Sequence, residues 1–281
     1  MVIVPATGVV LALTSAIAWG GADFTGGLAS RRSNHLEVLA LSRLALLVLV
    51  AAVAAVLRDP LPPVASAGWA AAAGMSGALG IAALYKGLAT ERAALVVPTS
   101  GVVGAAIPVL YGAVVVGVLP IVQQAGLVTA LVGIWLVSEG HRSADLGASQ
   151  GLAAGALAGL GFGGFFILLG QVDSGPVFTP LAAAGCGGFS VAVVALVVSR
   201  ARLPSPPRNP PALLAGVLDG TGLVFYMLAM RWIRLDVAAV LGSLHPAVTV
   251  LLFRAISKEQ VTGTQWIGLT VCVVAIALIA V

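Results

Sequence analysis

Ten long apolar runs, each cut off by charge or proline, take up almost the whole chain. They cover about 8–28, 36–57, 67–89, 93–117, 121–138, 149–170, 179–199, 211–230, 237–256 and 263–281. A helix needs about 20 apolar residues to cross the hydrocarbon core of a bilayer, so the pattern predicts ten transmembrane helices. The connections are short. The longest lie around Arg58–Ser66 (Pro60, Pro62, Pro63), Glu139–Ala148 and Arg200–Pro211 (Pro204, Pro206, Pro207, Pro210), and only Leu119-Pro120 divides spans four and five. The blocks are continuous, not alternating over ten residues, which argues against a membrane β-barrel. No basic segment precedes the first run, so it reads as a retained span and not a cleaved signal.

Composition removes the soluble alternatives. Hydrophobic residues make up 60% of the 281 positions and charged residues only 9%, where about 25% charged is usual in a soluble domain. Such a chain cannot cover a soluble surface, and it is too apolar to be disordered. Cys186 and Cys272 each sit in an apolar run, and the three histidines are far apart. Neither a disulfide framework nor a metal-ligand spacing is present, and no cofactor is expected. The net charge of +4 is scattered between the spans, so nucleic acid is not an expected partner. The expected partners are the lipid bilayer and a small-molecule substrate, with the chain a monomer or homodimer.

Glycine adds a second pattern. Gly147, Gly151, Gly155, Gly159 and Gly163 recur at every fourth position, a ridge on which another helix can approach closely. Such a smooth face suits tight packing or sliding during a conformational cycle. The chain also divides in two. A shift of 142 residues lays Gln123-Gln124-Ala125-Gly126-Leu127 on Gln265-Trp266-Ile267-Gly268-Leu269, with proline, charge and glycine roughly matched across this stretch. Five spans per half is an odd number, so the halves, 1–140 and 141–281, must lie in opposite orientations. Inverted repeats are a recurrent plan of secondary transporters.

Several short motifs resemble one family. They are Ala18-Trp19-Gly20 with Asp23-Phe24 in span one, and Leu41-Ser42-Arg43-Leu44 in span two. At the other end come Leu244-His245-Pro246-Ala247-Val248-Thr249, Lys258-Glu259 and Gln265-Trp266-Ile267-Gly268. The chain resembles a ten-span EamA-family member of the drug/metabolite transporter superfamily. Lys258 stands where that family usually has glycine, and Gly104 and Gly117 occupy the first-half places of the proline and glutamate. The resemblance implies a ten-helix exporter or importer of small metabolites. The expected fold is thus all-α and integral to the membrane: two inverted five-helix repeats around a central cavity, multi-pass in a bacterial plasma membrane.

Charged residues inside spans cost about 2.5–3.5 kcal/mol near a span centre and usually face the bundle interior. Asp219 lies mid-span with Tyr226 seven residues on, along one face. It reads as a proton-coupling or amine-binding group, or as a structural carboxylate bonded to Thr221 or to neighbouring backbone. Ser15, Trp19 and Asp23 form one stripe, which lines a cavity or meets the interface. Arg43 lies at least a turn inside span two, to pair with Asp23, bind a substrate carboxylate or snorkel to the headgroups. His245 precedes Pro246, which loosens the helix; it reads as a proton-exchanging group of the site or as a packed hydrogen-bonding residue. Tyr85, Lys86, Thr99, Ser100 and Tyr111 mark spans three and four, where Pro98 and Pro108 can kink the helix. Glu259 reads as a structural boundary residue near Lys258 and Arg254. The candidate substrate-binding set is Trp19, Asp23, Arg43, Tyr85, Ser100, Tyr226 and His245, with Asp219 as the proton-coupling residue.

Ten basic residues in one set of loops face three in the other. The positive-inside rule therefore places both termini outside, whereas the family resemblance implies termini inside. The leading function is a secondary carrier that exports a small amphipathic metabolite such as an amino acid, with proton coupling or simple exchange. No Gly-x-x-x-x-Gly-Lys-Ser/Thr sequence is present, so the chain carries no ATP-driven pump motif. No enzyme is expected. The alternatives are an intramembrane serine hydrolase built on Ser100 and His245, which lie at nearly equivalent repeat positions, and a non-transporting scaffold.

Overall fold

The computed structural model describes residues 5–30, 33–88, 93–138, 148–201, 209–258 and 261–280, without the side chains of 85–88, 93–98, 138, 148–152 and 280. Among the described residues the chain forms eleven helices and no strand. They are α1 (Ala6–Ser30), α2 (His35–Leu57), α3 (Val64–Leu88), α4 (Ala93–Val115), α5 (Ile121–Ser138), α6 (Ala148–Leu169), α7 (Phe178–Val198), α8 (Pro210–Ala229), α9 (Leu235–Gly242), α10 (His245–Ser257) and α11 (Gly263–Ala280). Nine of the predicted spans are single helices. The ninth is two, α9 and α10, broken at Ser243–Leu244. The cause is Pro246, which has no N–H to donate and sits in the first turn of α10, where none is needed.

Six units are long and apolar enough to cross a membrane: α1, α2, α3, α7, α8 and the α9–α10 pair. Four more apolar stretches, 99–115, 121–137, 153–169 and 263–279, are shorter. The chain is an all-α, multi-pass integral membrane protein. Its outer face is apolar in keeping with that, since Val10, Ile17, Val48, Leu79, Leu110, Val128, Val194 and Val273 are each more than half exposed. Trp69, Trp135, Trp232 and Trp266 are partly exposed near helix ends, where headgroups favour indoles. Trp19 differs from these four, being buried in the middle of α1.

The helices pack mainly across the two halves of the chain. α1 lies on α8, α3 on α6 and α7, α2 on α7 and α8, α4 on α6, and α5 on α11. Glycine makes these approaches close. A Cβ at Gly74 would stand 1.8 Å from the Ala184 carbonyl oxygen, and one at Gly216 would stand 2.1 Å from the Ser42 carbonyl oxygen. On α6, Gly159 meets Val103 and Gly163 meets Ile107 of α4, so this part of the glycine ridge packs tightly. The opposite face of α6 is equally bare: Gly161 meets Gly80 of α3, and Ser76 Oγ donates to the Gly161 carbonyl at 2.8 Å. Gly147 and the surroundings of Gly151 lie outside the described residues.

The end of the bundle that starts with α1 is tied by its loops. Val177 at the start of α7 makes no side-chain cap. Asp59, from the loop after α2, supplies it by accepting from the N–H groups of Phe178 (2.8 Å) and Thr179 (2.9 Å). Ser66 Oγ donates to Asp173 at 2.6 Å, and Arg231 donates to the Gly175 carbonyl. Arg234 donates to Asp236 at 2.8 Å and to the Gly117 carbonyl at 2.7 Å. Gly117 has φ +101°, the left-handed region that favours glycine. At the opposite end Asn209 caps α8 and donates to Ser33 Oγ at 3.0 Å. Replacing Asp59 by alanine is expected to cost about 1 kcal/mol of stability, the usual value of an N-cap. Denaturant titration in mixed micelles would check it.

Candidate functional site

The lengthwise middle of the bundle holds a cavity of about 120 Å³. That is roughly ten times the space one water needs. Its walls come from α1, α2, α3, α4, α6, α7, α8 and α10, together with Ser243 at the break in span nine. The lining includes Trp19, Asp23, Arg43, Ser100, Asp219 and His245, so six of the eight residues singled out from sequence meet at one place. Tyr85 has its backbone in α3, but its side chain lies outside the described residues, as does Glu259.

Two polar pairs cross this space. His245 Nδ1 and Asp23 Oδ2 share a hydrogen bond of 2.6 Å, and Asp23 stays 41% exposed toward the cavity. Arg43 pairs with Asp219, with side chains 12% and 17% exposed. Arg43 thus takes its partner from α8 and not from Asp23, and its guanidinium does not snorkel. The local partner considered for Asp219 is also engaged elsewhere, since Thr221 Oγ1 donates to the Val217 carbonyl at 2.8 Å. The Arg43–Asp219 pair sets opposite charges together, which offsets much of the cost of placing either one inside apolar helices.

The break in span nine has a direct effect on the site. It brings Ser243 and His245 to the cavity wall. Thr249, one turn into α10, donates to the Gly20 carbonyl at 3.2 Å and holds α10 against α1. Gly20 is needed there, because a Cβ would stand 2.5 Å from Val248.

Trp19 is the hub of an aromatic cluster. Its ring lies 5.5 Å from Tyr226, 5.9 Å from Phe166 and 6.3 Å from Phe165, and it meets His245 edge-on at 6.4 Å. Gly222 and Gly242 make room for it, since a Cβ at either would fall within 3 Å of the indole. Tyr226 does not line the cavity. It is wholly buried behind Trp19, its ring tilted against Phe166 at 5.0 Å, so helical phase with Asp219 did not carry it to the same surface. The sequence reading missed Phe162, Phe165 and Phe166, which form an aromatic wall of the cavity. Their signal is the run Gly161-Phe162-Gly163-Gly164-Phe165-Phe166, where rings are concentrated in an otherwise small-residue span. It also missed Asp236, which is buried and held by Arg234 away from the cavity.

A multi-pass helical bundle with a charged, solute-sized space at its centre has the build of a membrane transporter. The model of the EamA-like transporter family matches residues 149–281, the stretch containing α6 to α11. Over that stretch, just under half of its length, the chain is similar to this family of membrane transporters. No curated protein matches it significantly. A crystal structure of a protein shares the fold, with a TM-score of 0.76 over 97% of this chain and 96% of its own at 16% identity.

Proposed function

We propose that the chain is a secondary carrier that exports a small amphipathic metabolite such as an amino acid, by alternating access around the central cavity, with protons as the coupling ion. The observation that carries this reading is the cavity itself. Four ionisable side chains, Asp23, Arg43, Asp219 and His245, are collected from four apolar helices onto its walls. A scaffold has no use for charges placed there, and the family match lends no support to a hydrolase at Ser100 and His245.

Alternating access needs two bodies related by symmetry, and the glycine contacts support two repeats of five spans. Gly20 of α1 faces Val248 and the His245 carbonyl, while Gly159 of α6 faces Val103 and the Ser100 carbonyl. Gly216 of α8 faces the Ser42 carbonyl of α2, while Gly74 of α3 faces the Ala184 carbonyl of α7. Each contact maps onto its counterpart by a step of five spans. In this register Ser100 corresponds to His245 and Gly101 to Pro246, three residues from the Gly104 that a uniform shift of 142 selects. The loop ties around Asp59, Asp173, Gly175 and Arg234 then close one end of the bundle.

The test is solute flux in proteoliposomes, with amino acids and small organic cations, with and without an imposed pH gradient. Gradient-driven flux of one solute class is expected, and Asp219→Asn is expected to abolish the coupled component. Unchanged coupled flux in that variant would remove Asp219 from the coupling role. Absence of flux for the whole panel would count against the carrier.

A further inference from the structure

We propose that Arg43 is the site for a carboxylate on the transported solute, and that Asp219 occupies this site in the empty carrier as an internal stand-in. The inference rests on the carrier reading and assigns the ligand chemistry of its cavity.

The first observation is the asymmetry of the two halves. In the register set by the glycine contacts, Arg43 of α2 corresponds to Gly185 of α7, and Asp219 of α8 corresponds to Gly77 of α3. Asp23 likewise corresponds to Phe162. All six of these residues line the cavity. One wall therefore carries the charge, and the matching places on the other wall are two glycines and a ring. A solute filling this space meets a polar end and an apolar end.

The second observation concerns Arg43. Its side chain is 12% exposed and bonds Asp219, but its Nε is buried without a hydrogen-bond partner among the described residues. Arginine offers a planar fork that a carboxylate can take in two parallel bonds, and the present contact uses Nη2. A solute carboxylate in the same place satisfies the same cation. The two carboxylates then compete for one guanidinium.

The third observation is size. A volume of about 120 Å³ approaches the ~150 Å³ apolar cavity that takes up a benzene ring. The apolar end has Phe162, Phe165 and Phe166 on its wall, which suits a body of about one ring. The ligand class is therefore a small monocarboxylate with an apolar body.

Competition couples the two ligands as co-passengers. A neutral Asp219 releases Arg43 to the solute and a charged one reclaims it, so the solute leaves down its own gradient and takes a proton with it. The other ionisable groups facing this space are Asp23 of α1 and His245 of α10; the lining residues of α7 (Ala184, Gly185, Gly188) and Ser243, next to α9, bring none.

Calorimetry on the purified protein in detergent tests this apart from flux. The probes are 3-phenylpropionate, phenethylamine and phenylalanine, titrated between pH 5.5 and 8. The two carboxylates are expected to bind at least tenfold more tightly than the amine, and more tightly as pH falls. In Asp219→Asn their affinity should rise and the pH dependence should flatten, while His245→Gln should keep it. Equal or tighter binding of phenethylamine overturns the proposal, as does a pH slope that survives in Asp219→Asn and vanishes in His245→Gln. Failure of all three probes to bind the wild-type protein also overturns it. Carboxylate binding without any flux in proteoliposomes leaves the Arg43 site standing and removes the carrier reading instead.

Discussion

Gly74→Ala is expected to leave little folded protein, while Gly68→Ala in the same helix is expected to be neutral or slightly stabilising. The chemistry is identical and the outcome opposite. At Gly74 the new methyl would lie 1.8 Å from a backbone oxygen, that of Ala184. No rotamer change relieves a clash with backbone, so α3 and α7 must move apart along their contact. Overpacking of this kind costs about 1–3 kcal/mol in ordinary cores and sometimes more, and here the strain spreads over a whole helix pair. At Gly68 an added Cβ meets nothing within 4 Å, and alanine favours the helix by about 1 kcal/mol over glycine. Thermal unfolding in detergent, read as loss of the monodisperse peak in size exclusion, compares the two directly. Equal melting of both variants would show that α3 and α7 do not approach as closely as described.

The second large effect is a pair of substitutions that must be measured together. Arg43→Leu removes the partner of Asp219 and leaves a carboxylate in the apolar interior. Breaking a buried pair from one side costs about 3–5 kcal/mol, and the cavity's access to water puts this case near the lower end. Adding Asp219→Leu removes the stranded charge, so the double variant is expected to recover most of the loss. Replacing a buried pair by apolar residues is often neutral. The measurement is a double-mutant cycle on the denaturation midpoint. A coupling energy near zero would mean that Arg43 and Asp219 do not meet in solution.

The spans were legible because each is a block of apolar residues closed by charge or proline. Helix ends fall within about three residues of the expected ones, from α1 at Ala6–Ser30 to α11 at Gly263–Ala280. Proline at 246 also showed where a helix is weakened, though not that the chain makes a full break there. Partners were another matter. Arg43 and Asp219 lie 176 positions apart, and only the docking of α2 on α8 brings them together. Nothing local distinguishes Asp219 from Asp23 as a neighbour for Arg43. Tyr226 shows the limit of helical phase, which orders residues around one helix but not the depth at which each meets its neighbours. Phe162, Phe165 and Phe166 were hidden for another reason. A ring within an apolar span looks like lipid-facing or core residue until the helix opposite is known.

The pairing of helices across the two halves has a consequence for how the chain is made. The buried face of α1 is matched by α8, whose first residue, Pro210, leaves the ribosome 180 residues after Ser30. At about 5–20 residues per second of synthesis, α1 waits roughly 10–40 s for its partner. Over that interval its glycine notches and Asp23 face lipid or the insertion machinery, not protein. α2 and α3 wait in the same way for α7. The order of emergence thus makes the first half an unfinished surface during much of translation. Any delay in producing the second half lengthens the time in which quality-control proteases can reach it.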